Sequence, residues 1–298
     1  MDFVKVGEVG NRPDRNGVGC VPYEYEIARC AISNADWCEF LNAVGEKAVE
    51  LGLWHKDMAT GVLGGINRDF TVKPGWAKKP VTYVTYTGVM RYCNWLMTGD
   101  TEKGAYDLTV TPPRRLEGAT YFLPTDDEWY KAAYYDCSIV RLFGLSDWLI
   151  GKGGYWKYPT RSNEIPTQDQ VNYERGDALA VGAPYYLADV DAYADSPSSC
   201  GALQMGGNVW EFLEDCFANP LGNKLRGGSF GYTETGLSAA NVDFGKYDKR
   251  CYVFGARICR MKDGWCPMPK PLKYAIIQQV RNVVAQCKRC VKRLLSCG

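Results

Sequence analysis

Histidine is nearly missing from this chain: His55 is the only one in 298 residues. A serine or cysteine nucleophile paired with histidine, or a histidine metal triad, would have to be built around that one ring. It lies in the loop sequence Trp54-His-Lys-Asp57 with no nucleophile context, and is expected at the surface. Long apolar runs are missing too. The opening MDFVKVGEVGNRPDRNG has no secretory core, and no later stretch reaches the roughly 18 apolar residues that span a bilayer. A cytoplasmic or otherwise soluble protein is expected. Acidic residues are absent from Lys270 onward, where seven basic residues (Lys270, Lys273, Arg281, Lys288, Arg289, Lys292, Arg293) stand alone. The net charge of +1 therefore hides an acidic body and a basic tail.

Cysteine is plentiful. Thirteen is an odd number, so the thiols cannot all pair within one chain, and reduced cysteines filling core space are expected. Aromatic residues make up 13%, with 20 Tyr and 9 Trp. Such rings suit both a loop-rich core and a recognition surface, because they supply area at low entropic cost.

No internal repeat stands out. Tyr23 to Ile27 alternates as a strand, and Ser33-Asn34 then offers a helix cap before the apolar spacing Trp37, Phe40, Leu41, Val44. Pro80 to Val84 reads as a short strand, followed by a helix from near Thr87 with Val89, Tyr92, Cys93 and Leu96 on one face. Thr125 and Glu128 form a capping-box pattern at another helix entry. The acidic run Asp126-Asp127-Glu128 then has a macrodipole explanation and needs no chemistry. Residues 145 to 200 are rich in Gly, Pro, Ser, Tyr and Asp and read as irregular loop. The pattern predicts an α+β body.

Four segments occur in order: YEIARCAISNADWCEFLNAV, KPVTYVTYTGVMRYCNWL, YFLPTDDEWYKAAYYD, and GGNVWEF followed by LRGGSF and GAR. Together they resemble the formylglycine-generating-enzyme/sulfatase-modifying-factor family. The resemblance covers the body, taken as residues 1–262, and leaves 263–298 as a basic amphipathic helical tail. It implies a C-type-lectin-like fold with two helices, small antiparallel sheets and abundant loop.

The family's oxidases use two cysteines placed after the R/K-G-G-S strand, which bind copper as thiolates. Laying Arg226-Gly-Gly-Ser229 on that motif puts Tyr232 and Leu237 at the thiol positions. No copper is expected. The rival reading, an oxidase with displaced thiols, would need Cys251 and Cys259. The resemblance also implies a Ca2+ site, with a side-chain oxygen of Gln204, carbonyls of Gly207 and Val209, and the carboxylate of Glu211. On the alternative reading Trp210 is a core plug and Glu211 an internal acceptor. A second family site would draw on Asn172 and the Tyr173 carbonyl, but no downstream acidic ligand is evident. Arg257 is expected to pair internally.

Between the scaffold motifs lie three clusters, Gly231-Tyr-Thr233, Asn241-Val-Asp-Phe244 and Cys251-Tyr-Val253. Glu234, Ser238-Ala239, Arg250 and Gly255 separate them as scaffold-like residues. The layout resembles the target proteins of diversity-generating retroelements, whose lectin-like domains end in a segment scrambled at Asn-type codons. The expected function is therefore non-catalytic binding of a protein or small ligand by Tyr232, Thr233, Asn241, Asp243, Phe244, Tyr247 and Tyr252. In the tail, Ile276, Val280, Val283, Cys287, Cys290 and Leu294 make a helical apolar stripe, fit to meet a partner helix or an anionic surface. The alternative there is zinc held by Cys266, Cys287, Cys290 and Cys297. Sequence-specific nucleic-acid binding is not expected.

Overall fold

The computed structural model describes residues 1–138, 153–217, 222–246 and 248–262. The tail, with its expected helix and its cysteines, and Tyr247 lie outside the described residues.

Three helices carry the body. Helix α1 (Asn34–Val44) starts at a complete capping box: the Ser33 side chain accepts from the Asp36 amide and Asp36 accepts from the Ser33 amide. It buries Trp37, Cys38, Phe40 and Leu41, the face its spacing predicts. Helix α2 (Tyr86–Thr98) is capped by Thr85 and ends at Gly99 in the left-handed region. Helix α3 (Asp126–Tyr134) has the Thr125/Glu128 capping box, and eight of its nine residues are buried. Rings from α1 and α2 interlock: Phe40 stands edge-on to both Trp37 and Tyr92, with centroids 5.2 Å away in each case. Short one-turn helices fill the loops at 47–50, 56–60 and 234–237.

Two small sheets complete the frame. The first comprises β1 (Phe3–Val6), β2 (Tyr25–Ala28), β3 (Tyr121–Phe122) and β8 (Cys259–Arg260), in the order β1-β2-β8-β3 and all antiparallel. The second comprises β4 (Trp210–Phe217), β5 (Gly222–Arg226), β6 (Asp243–Gly245) and β7 (Phe254–Gly255), in the order β6-β5-β4-β7. Its β4–β7 pairing is parallel and the other two are antiparallel. Residues 153–200 form only two-residue strand pairs and turns, as their composition predicts.

The strand expected at Pro80–Val84 does not form. Pro80 makes one isolated bridge to Ser33, and Tyr83 adopts φ +59°, which breaks the extended run before α2. His55 is half-buried and caps a helical turn: its Nδ1 accepts from the Asp57 amide at 3.3 Å. Asp126 does more than favour a helix dipole. Its carboxylate takes Arg226 Nε at 2.5 Å and Lys224 Nζ at 2.5 Å, tying α3 to β5. Those two cations hold the Asp126 carboxyl below its usual range against the opposing cost of its burial.

Candidate functional site

Strand β4 starts where the two glycines before it allow. Gly207 has φ +74°, its amide donates to the Gly227 carbonyl at 2.7 Å, and a Cβ there would lie 2.3 Å from the Asn172 carbonyl oxygen. Asn208 then ties down the long loop. Its Oδ1 accepts from the Ala188 amide and from Asn172 Nδ2, both at 3.0 Å. At the far end of β5, Gly228 has φ +77° and packs on the backbone of Gly236. The glycines of both motifs are scaffold.

The implied Ca2+ site does not fit this donor set. Both oxygens of Glu211 are taken by Arg257, with Nε at 3.0 and 3.2 Å and Nη2 at 2.9 Å. Trp129 Nε1 adds a third donor at 2.6 Å. The same guanidinium donates to the carbonyls of Ala28, Arg29 and Leu203 at 2.7–2.8 Å, and Arg257 is fully buried. A guanidinium therefore already supplies the positive charge here. A hard dication needs several oxygens, carboxylate among them, and gains none from a carboxylate neutralised in this way. Of the expected side-chain ligands at this site, Gln204 keeps an unpaired oxygen: Oε1 is buried without a partner, while Nε2 donates to the Asp189 carbonyl. Gly207 and Val209 frame a core strand. Trp210 is a core plug, Glu211 is an internal acceptor and Arg257 pairs internally. At the second implied site the Tyr173 carbonyl already accepts from Gln168 Nε2 at 2.9 Å; the Asn172 side-chain nitrogen donates to Tyr186 and Asn208, while Asn172 Oδ1 is buried without a partner. Among the described residues no group of three or more His, Cys, Asp or Glu is arranged to hold a metal.

The two thiol positions have opposite environments. Leu237 is fully buried with Tyr158, Val171 and Tyr173, and its carbonyl accepts from the Tyr134 hydroxyl at 3.0 Å. Tyr232 is 43% exposed. Its ring stands edge-on to the Trp210 indole, centroids 5.1 Å apart. The displaced thiols belong to different places. Cys259 lies in β8 of the first sheet, where complete burial pushes its thiol pKa far up. Cys251 is half-buried beside the second sheet, its carbonyl accepting from the Tyr83 amide at 3.1 Å. A neutral buried thiol is a poor copper ligand. All nine described cysteines are free, with Cys38, Cys93 and Cys259 in the core.

The expected recognition residues separate into groups. Tyr232, Thr233, Phe244 and Tyr252 are exposed, while Asn241 and Asp243 are half-buried. Tyr232 packs on the Trp210 ring, and the Trp210 amide donates to the carbonyl of Val253, the residue after Tyr252, at 2.8 Å. Asp243 and Phe244 sit on β6, at the opposite edge of the sheet from β7. Among the exposed large apolar side chains of the described residues, the aromatic ones are Tyr232 (43%), Phe244 (36%) and Tyr252 (49%). Every one comes from this segment.

Two residues that hold the segment carry no sequence signal for that role. Asp248, at φ +54°, accepts from the Thr87 amide and hydroxyl at the start of α2. Arg226 Nη1 donates to the Ala239 and Asn241 carbonyls at 3.1 and 2.6 Å. The described cavity, of about 460 Å³, is elsewhere: Lys5, Tyr23, Glu26, Arg260 and Lys262 line it, with no residue from 231–253.

Residues 19–262 match the family described as Sulfatase-modifying factor enzyme 1-like domain. A hercynine oxygenase of Mycolicibacterium thermoresistibile is 26% identical over 200 residues, covering 63% of this chain and 35% of that protein. The chain thus spans about a third of the curated relative it matches. In three dimensions the chain is similar to CarF (TM-score 0.53, 22% identity, 88% of this chain and 99% of that one). It is also similar to Treponema denticola variable protein 1 (TM-score 0.52, 14% identity, 87% and 94%). Those two likenesses establish the shared fold. Among the described residues no helix is long and apolar enough to cross a membrane.

Proposed function

Because the chain belongs to the Sulfatase-modifying factor enzyme 1-like domain family, and Tyr232 and Leu237 stand where its oxidases carry thiols, we propose that it is a non-catalytic binding protein. Its recognition surface is the segment 231–253. One observation carries this reading: the exposed aromatic side chains of the described body are Tyr232, Phe244 and Tyr252, all from that segment. Exposing a ring to water is unfavourable unless a partner covers it, and Tyr is a frequent anchor of protein interfaces.

In its finer form the reading makes 231–253 the diversified segment of a retroelement target. The similarity in fold to a variable protein of Treponema denticola supports it. Sequencing the same locus in related genomes tests this form. Altered codons at 232, 233, 241, 243, 244, 247 and 252, with a near-copy of the segment and a reverse transcriptase gene close by, are expected; unchanged codons count against it.

A photo-crosslinking residue at 232 or at 252 tests the binding itself, with one at the exposed Val62 as control. A discrete adduct from 232 and 252, and none from 62, is expected in the native host. Stoichiometric Cu(I) binding, with oxygen uptake on a cysteine-containing sulfatase peptide, would overturn the proposal in favour of an oxidase.

A further inference from the structure

The cavity of about 460 Å³ lies at one end of the first sheet, where β1 leaves, β2 enters and β8 leaves. The antiparallel register makes that end a row of charge, with Lys5 opposite Glu26 and Glu26 opposite Arg260. Beyond β1 the chain turns at Glu8 (φ +58°) and Gly10 (φ +76°), and the Gly10 amide donates to the Val21 carbonyl at 3.2 Å. That turn sets Val9 against the cavity with Pro22 and Met261. The buried rings of Tyr23 and Tyr25 complete the apolar wall, because their hydroxyls are drawn into the core. Tyr23 donates to Glu128 Oε1 at 2.6 Å and Tyr25 to the Glu128 carbonyl.

The charges that line the cavity do not balance: three cations, Lys5, Arg260 and Lys262, face two carboxylates, Glu24 and Glu26. Arg260 Nε and Nη2 donate to Glu26 Oε2 at 2.8 and 2.6 Å, and Lys262 Nζ lies 2.9 Å from Oε1 of the same carboxylate. One carboxylate thus serves two cations, while Lys5 pairs with Glu24 at 2.9 Å. The Lys262 side chain is 70% exposed, and an exposed ion pair of this kind adds little stability. Its ammonium can therefore turn to a second anion at small cost, with Arg260 left to neutralise Glu26.

We propose that this cavity binds a small organic acid. Lys262 holds its single carboxylate at the mouth, and its short apolar or aromatic body lies against Val9, Met261 and the two tyrosine rings. The volume falls within the roughly 300–1,000 Å³ of small-molecule sites, and an apolar wall with a few polar groups is their usual lining. A surplus of one positive charge favours a monoanion over a multiply charged phosphate. The site stands apart from the surface at 231–253, none of whose residues line it.

The test uses the full chain with 4-phenylbutyrate as the probe and 4-phenylbutyramide, the same body without the charge, as comparison. Calorimetric titration is expected to show one saturable site for the acid, with a Kd of about 1 mM or tighter, and binding of the amide weaker by about tenfold. Lys262→Gln is expected to bring the acid down to the level of the amide. Val9→Glu, which sets a like charge against the wall, is expected to abolish binding of the acid. Both positions are exposed, at 70% and 59%, so each variant is expected to melt within about 2 °C of the parent. No saturable binding of the acid by the parent would overturn the proposal. An amide that binds as tightly as the acid would overturn the role of the charge, and parental affinity in both variants would overturn the location.

Discussion

The guanidinium of Arg257 holds both carboxylate oxygens of Glu211 at 2.9–3.2 Å, in a place closed to solvent on both sides. Removing one partner strands the other as a buried charge. Arg257→Met or Glu211→Leu is therefore expected to cost about 3–5 kcal/mol of stability, measured by urea unfolding. Millimolar Ca2+ or EDTA is expected to leave the parent's unfolding midpoint unchanged. A calcium-dependent rise would restore the implied metal site and sink this reading.

Lys131 is 1% exposed, and its ammonium donates to the Glu8 carbonyl at 2.9 Å with the ring of Tyr135 below it. Burial lowers its pKa from 10.5 to about 8. The unfolded chain thus binds the proton more tightly than the folded one, and the penalty is complete below pH 8. It fades as pH rises from about 8 toward 10.5. Lys131→Met is expected to stabilise the protein most at pH 7, with the difference from the parent shrinking by pH 10. A pH-independent difference in unfolding free energy would contradict the assignment.

Gly207→Ala tests the turn into β4. The position has φ +74°, and the new methyl group would lie 2.3 Å from the Asn172 carbonyl oxygen, which is backbone and cannot step aside cheaply. A loss of about 2 kcal/mol or more is expected in denaturant unfolding. Gly10→Ala serves as the comparison: it also has positive φ, but nothing lies within 4 Å of the added atom. The gap between the two isolates the steric term from the conformational one.

Thiol chemistry should follow burial. Cys137 is exposed, whereas burial raises the Cys93 and Cys259 thiols well out of the reactive range. Native-state alkylation at pH 7.5 followed by peptide mapping is expected to label Cys137 first and to spare Cys93 and Cys259 until denaturant is added. Early labelling of Cys259 would reopen the case for a displaced copper thiol.

The helices were legible because their signals are local. Ser33 with Asp36, and Thr125 with Glu128, close capping boxes within one turn, so residues a few positions apart settle the outcome. The run Pro80–Val84 misled for the opposite reason. Its composition suits a strand, yet Ile32 and Cys251, distant in sequence, capture the amides of Val81 and Tyr83 and bend the chain into a left-handed residue. Similarly, Asp126 reads as a dipole partner until Arg226, 100 residues away, takes its carboxylate.

By itself the sequence determined the family frame, the presence of a single histidine, and the replacement of two thiol positions by Tyr232 and Leu237. Residue identity and order suffice for those. Only the tertiary structure showed that Glu211 pairs with Arg257, and that Leu237 is core while Tyr232 faces outward. Both depend on which groups the fold brings within a few ångströms and on which it hides from water. The surface between 231 and 253 joins the two: the sequence supplied its aromatic residues, and the grip of the body on its carbonyls left Tyr232 and Tyr252 out in solvent.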